Sequence, residues 1–210
     1  MKLKKSVKRL LIIIFVAIIV GIICYFLFKN FSNQKSNDTV KVVDNISKYG
    51  YSLKENKTKT YKDMFNELKL ILNEKEVNDE EYAKKISEMF IYDFYSLDDK
   101  KAKTDVGGVD FVYNKVLPNF LQNAQDTYYK YVENNIYNNR KQKLPVVTNI
   151  KIEQIEQKLF TYGEKNDDKA YYVNVNWSYT DDSFSSYQKA ATLVFIHDDI
   201  KLSLVELKKI

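Results

Sequence analysis

Hydrophobic and polar positions divide the chain into three regimes. From Leu10 to Phe28 the sequence is an unbroken apolar run, LLIIIFVAIIVGIICYFLF, in which fifteen residues are Leu, Ile, Val or Phe. At a helical rise of about 1.5 Å per residue, a run of this length reaches roughly 28 Å, the thickness of a bilayer's hydrocarbon layer. The first regime therefore predicts a single transmembrane helix. Residues 29–39 (KNFSNQKSNDT) lack apolar periodicity and open a linker that extends to residue 57. Within it, Val40–Ile46 reads equally as a short strand or as the start of a helix.

In the second regime apolar residues recur at helical spacing. Tyr61, Met64, Phe65, Leu68, Ile71 and Leu72 form one stripe, with Thr60 and Asp63 as the capping pair. A second helix opens at Asn78, with Glu81 three residues on. It carries Tyr82, Ile86, Met89, Phe90 and Phe94, and closes near Leu97–Lys100. Gly107-Gly108 reads as a turn into a short strand over Val109, Phe111 and Tyr113. Pro118 starts a third helix whose stripe (Leu117, Leu121, Ala124, Tyr128, Tyr131, Asn135) runs to about Ile136.

After Pro145 the period becomes two. Val146–Tyr162, Ala170–Tyr179, Tyr187–His197 and Leu202–Leu207 are four predicted strands, with turns at Gly163–Asp168, Asp181–Ser183 and Asp198-Asp199. Short connections make them an antiparallel meander. Helices and sheet each have one apolar face to bury. The predicted fold class is therefore α+β: three helices on a curved antiparallel four-strand sheet, over residues 58–210.

Charge changes this picture in one respect. The chain of 210 residues carries 33 Lys and Arg against 28 Asp and Glu, a net charge of +5. Residues 1–29 hold six Lys or Arg and no acid, so the remainder is close to neutral at −1. The excess basic charge sits in the flank over residues 1–9, which by the positive-inside rule holds the N-terminus in the cytoplasm and places the C-terminal domain outside the cytoplasmic membrane. The apolar run is too long for a cleavable signal peptide and lacks its small-residue end. Ile23 before Cys24 does not suit a lipoprotein site, and Cys24 reads as an apolar helix residue. The external part has no electrostatic footprint for nucleic acid. Arg140-Lys141-Gln142-Lys143 reads as a solvated basic turn. One Cys and one His exclude a disulfide framework and the familiar zinc sets, and no cofactor or metal is expected.

The element order over residues 58–207 resembles the cone-shaped, nuclear-transport-factor-2-like (cystatin-like) domains. The segments YKDMFNELKLIL, EEYAKKISEMFIYDFYSL, DVGGVDFVYNKVLPNF and RKQKLPVVT resemble a functionally uncharacterised membrane-anchored family of Gram-positive bacteria. The layout of anchor plus cone is also similar to that of inner-membrane assembly factors of secretion and conjugation machines. These resemblances imply an extracytoplasmic interaction or assembly domain of an envelope complex, with a ligand-binding or isomerase- or dehydratase-like cup as the alternative.

For such a cup the candidate groups are His197, as a strand-end general base, and Asp93, whose place near an apolar helix stripe would be costly without a partner. The plainer alternative for His197 is a strand terminus before a polar turn. The four Asp pairs lack calcium-loop spacing and read as loop solvation. Tyr92 and Tyr95 lie off the main stripe of the second helix and are candidates for an interface or pocket rim. Val194 and Ile196 give the third strand a second apolar face, which predicts contact with a protein partner or a second copy of the chain there.

Overall fold

The computed structural model describes residues 40–163 and 165–210. The basic flank, the expected membrane helix and the linker to residue 39 lie outside the described residues. Among the described residues no helix is long and apolar enough to cross a membrane. Lys41–Ile210 forms one compact unit. It opens with a hairpin of β1 (Val42–Ile46) and β2 (Tyr51–Lys54), turned through Gly50 at φ +72°. Ile46, Tyr49, Tyr51 and Leu53 of this hairpin are buried in the main core. The folded unit thus begins at Lys41 rather than at residue 58, and Val40–Ile46 ends in a strand.

Three helices follow: α1 (Lys59–Leu72), α2 (Asp79–Tyr95) and α3 (Leu117–Asp126). The cap of α1 is Thr58, whose hydroxyl accepts from the Tyr61 N–H at 3.2 Å; Thr60 lies inside the helix. Asn78 caps α2 as its sequence predicts, accepting from the N–H groups of Glu80 and Glu81. The third helix stops ten residues short of Ile136. There the chain turns to bury Tyr129, whose hydroxyl donates to the Phe94 carbonyl at 2.6 Å, and Tyr131 is left outside. The expected strand over 109–113 is a 3₁₀ turn (Val109–Phe111) followed by a single bridge from Val112 to the last strand.

The meander forms as the alternation dictates: β3 (Val147–Tyr162), β4 (Lys165–Tyr179), β5 (Ala190–Asp198) and β6 (Lys201–Lys209), antiparallel in that order. The segment read as a turn over 163–168 is shorter, because β4 resumes at Lys165 and pairs it with Tyr162. Helix α2 lies on β3 and β4 and also packs on α1. Every residue from Met89 to Tyr95 is buried.

That burial corrects the reading of Tyr92 and Tyr95 as interface residues. The helix here is covered all round, so leaving the stripe does not mean reaching solvent. The Tyr92 hydroxyl lies 3.0 Å from that of Thr58, and the Tyr95 ring lies 4.4 Å from Trp177. A second correction concerns the outer sheet face. Val194 and Ile196 are fully buried, so they do not form an exposed patch. Tyr113 folds back beside β6, its N–H donating to the Leu204 carbonyl at 2.8 Å. Together with Ala170 and Ile196 it forms a small second core, closed by Phe160, Tyr162 and Tyr172. Val194 lies between Tyr172 and Glu206 in the strand pairing. The chain covers its own second apolar face.

Candidate functional site

The last turn of α2 holds Asp93 at 6% exposure with both carboxylate oxygens occupied. Lys57, just after β2, reaches Oδ1 at 2.5 Å, and Lys100 reaches the same oxygen at 2.9 Å. The Gly108 N–H donates to Oδ2 at 2.8 Å. The glycine pair is required by this approach. A Cβ on Gly107 would stand 2.0 Å from the Asp93 carbonyl oxygen, while Gly108 adopts φ +74° against the Phe90 ring. Burial alone would raise the Asp93 carboxyl; the charges of Lys100 and Lys57, with hydrogen bonds from Lys57 and Gly108, outweigh it and hold the group well below the usual carboxylate range. Burial alone would lower Lys100, but Asp93 and Asp99 outweigh it and raise the ammonium. A carboxylate held this firmly in its charged form, accepting from two ammonium groups and a backbone N–H, is suited to joining segments.

His197 stands at the end of β5, where its ring is one-third exposed. Its partner is Asp167 of β4 and not the adjacent Asp198 or Asp199. One Asp167 oxygen accepts from the His197 backbone N–H at 2.7 Å and lies 2.9 Å from Nδ1. Asp167 is thus bound to the sheet instead of solvating a loop. Partial burial would raise its carboxyl, but the His197 N–H and imidazole outweigh it and hold it low. Nε2 faces the Asp79 carboxylate at 3.8 Å, at the first residue of α2. Asp79 and Asp93 are fourteen residues apart on one helix, or about 21 Å. The imidazole and the buried carboxylate therefore sit at opposite ends of α2, and the structure does not bring them together.

A third feature is a hollow of about 440 Å³ between α3 and β6. Phe94, Tyr95, Phe120 and Leu204 give it an apolar floor, and Asn119, Asn123, Gln188 and Glu206 supply polar groups. Tyr95 is part of the wall of the hollow, whereas Asp93 and His197 do not line it. Tyr92 lines a separate groove between α1 and the start of β3. Behind Tyr95, Trp177 Nε1 is buried without a hydrogen-bond partner. Among the described residues no group of three His, Cys, Asp or Glu is placed to hold a metal ion.

The sequence reading missed Lys57, Lys100, Asp110 and Lys201. Lys201 donates to the Asp110 carbonyl oxygen at 2.8 Å and lies 4.4 Å from the centre of the Tyr51 ring. Burial pushes the Asp110 carboxyl up and the Lys201 ammonium down. A lysine in a chain with this many charges carries no local mark of burial; only the glycine pair beside an apolar helix hinted at a close approach. Comparison with protein-family models, curated proteins and solved structures found no match to this chain.

Proposed function

We propose that Lys41–Ile210 is a non-catalytic interaction domain, held outside the cytoplasmic membrane by one helix over residues 10–28. Its place would be in the assembly of a bacterial envelope complex of the secretion or conjugation type. The observation that carries this reading is the way the two candidate catalytic groups are used. Asp93 accepts from two ammonium groups and a backbone N–H, and His197 joins three elements at the far end of the same helix. Neither faces the hollow. The layout of three helices and a four-strand meander fits the cone-shaped nuclear-transport-factor-2-like domains, a fold that does not by itself imply an activity, and membership of a membrane-anchored family of Gram-positive bacteria belongs to the same proposal.

A ligand-binding cup is the second reading, favoured by the hollow beside α3. Its polar side chains are amides, one carboxylate and hydroxyls such as that of Thr127, so any ligand would be bound through them and not through the Asp93 and His197 pair. Two measurements test the proposal. Protease added to intact protoplasts is expected to remove the folded unit, and full protection would overturn its external placement. In a strain lacking the gene, His197→Gln is expected to restore the phenotype as well as the unaltered chain does. Loss of complementation at unchanged abundance would favour the enzymatic reading.

A further inference from the structure

The chain from Thr127 to Pro145, between α3 and β3, forms neither helix nor strand, yet it is firmly built. Tyr129 and Val132 plug it into the core. The Arg140 guanidinium donates to the carbonyl oxygens of Lys100 at 2.8 Å, Asp98 at 2.6 Å and Glu133 at 3.3 Å. Gln142 donates to the Tyr131 carbonyl at 2.8 Å and accepts from the Glu133 N–H at 3.0 Å. The Asn135 N–H donates to the Lys101 carbonyl, and Lys101 Nζ to the Asn138 side chain, each at 2.7 Å. This braced loop presents three large apolar side chains to solvent: Tyr131 at 76% exposure, Ile136 at 56% and Tyr137 at 85%.

A loop already fixed by so many bonds has little ordering left to lose on docking. Its charge indicates the kind of partner. Within residues 127–145, Lys130, Arg140, Lys141 and Lys143 are set against Glu133 alone, giving +3, and Asp181 of the following turn lies 3.9 Å from Lys143. Of the neighbouring acids, Asp99 pairs with Lys100, which also serves the buried Asp93, while Asp98 and Asp105 stand beside Lys101 and Lys103. Lysine is depleted from the centres of protein–protein interfaces. Tyrosine and an aliphatic side chain set among lysines match the headgroup layer of an anionic bilayer, where aromatic rings settle and each basic residue contributes about 1 kcal/mol.

The position of the loop agrees. The Lys41 carbonyl accepts from the Glu55 N–H, and Lys57, two residues on, holds Asp93. Asp93 shares Lys100 with the loop, since Arg140 binds the Lys100 carbonyl. The entry of the chain into the fold and the exposed loop therefore lie at the same end of α2. The chain outside the described residues joins the fold at that end.

We infer that the loop from Lys130 to Lys143 docks on the anionic phospholipid surface of the membrane that anchors the chain, with Tyr131, Ile136 and Tyr137 entering the headgroup layer. This rests on the reading of residues 10–28 as a membrane anchor. The test uses the full chain with Cys24→Ser, reconstituted into phosphatidylcholine vesicles with or without phosphatidylglycerol and containing nitroxide-labelled lipid. One thiol-reactive fluorophore is placed at Asn139→Cys in the loop. A control is placed at Asn166→Cys, beside Asp167 at the opposite end of α2. Retention of the chain through an alkaline wash tests the anchor separately, and release overturns both readings.

With the chain retained, quenching at position 139 is expected to exceed that at 166 several-fold in phosphatidylglycerol vesicles. It should fall to the phosphatidylcholine level after Lys130, Lys141 and Lys143 are changed to Gln, and be lost after Tyr131, Ile136 and Tyr137 are changed to Ser. Emission from the buried Trp177 checks that these surface variants fold. Equal quenching at the two positions, or none at 139, overturns the proposal, and quenching indifferent to lipid charge overturns its electrostatic part. Absence of quenching in both lipids leaves a protein as the partner of the loop.

Discussion

A charged residue can lie deep in a core when its partners come from several segments at once. Asp93 is tied to Lys57, Lys100 and Gly108, and Lys100 is itself only 3% exposed. Removing the carboxylate charge leaves a buried ammonium without its main partner, a defect that costs about 3–5 kcal/mol. Asp93→Asn is expected to lower the urea midpoint at pH 7 by a corresponding amount. The pH dependence has a definite sign. The folded-state carboxyl titrates below the unfolded one, so its contribution is complete above about pH 4 and is lost as pH falls toward the folded value. The unaltered protein should lose stability across that acid range, and the Asp93→Asn variant should show a shallower acid limb in the same denaturation series. The helix stripe is enough to mark Asp93 as a residue needing a partner. It is not enough to name Lys57 and Lys100, because pairings seven and thirty-six residues away leave no periodic trace.

Among the elements, α1 offers the cleanest test of where a helix begins. The sequence pattern places the cap at Thr60, but it is Thr58 that accepts from a helical N–H, and its hydroxyl also meets that of Tyr92. Thr58→Ala is expected to cost about 1–2 kcal/mol in thermal or urea unfolding. Thr60→Ala, inside the helix, is expected to change stability by less than about 0.5 kcal/mol. The stripes of α1 and α2 and the four strands are legible in the sequence because each has one face that a core must cover. The end of α3 is not. Tyr128 and Tyr131 keep helical spacing, yet burying Tyr129 against Phe94 requires the chain to leave the helix at Asp126. The double-sided apolar pattern of β5 stands out in the sequence, but the identity of its cover does not. Tyr113 and the hairpin of β3 and β4 close that face from within, through contacts that strand periodicity does not encode.

On the scale of the whole molecule, the first hairpin stands apart from the main sheet. Strand β1 pairs with β2 alone, and the two sheets are separate. The Lys41 carbonyl bonds to Glu55 at the open end of this hairpin, opposite its turn at Gly50. A pull applied through the chain at Lys41 therefore loads the rungs of β1 and β2 one after another, beginning at Val42 and Lys54, because ladder bonds lie across the strands. Strands pulled apart in this way yield at lower force than strands sheared along their length. In optical-tweezer extension with handles at Lys41 and Ile210, β1 at one handle and the edge strand β6 at the other are expected to peel as small early steps, before the long ladder of β3 and β4 opens in a larger one. A single rip of the whole unit would contradict this. The first hairpin then acts as a compliant spring in series with a stiff body, lengthening under load while Asp93 and its lysines keep the rest of the fold shut.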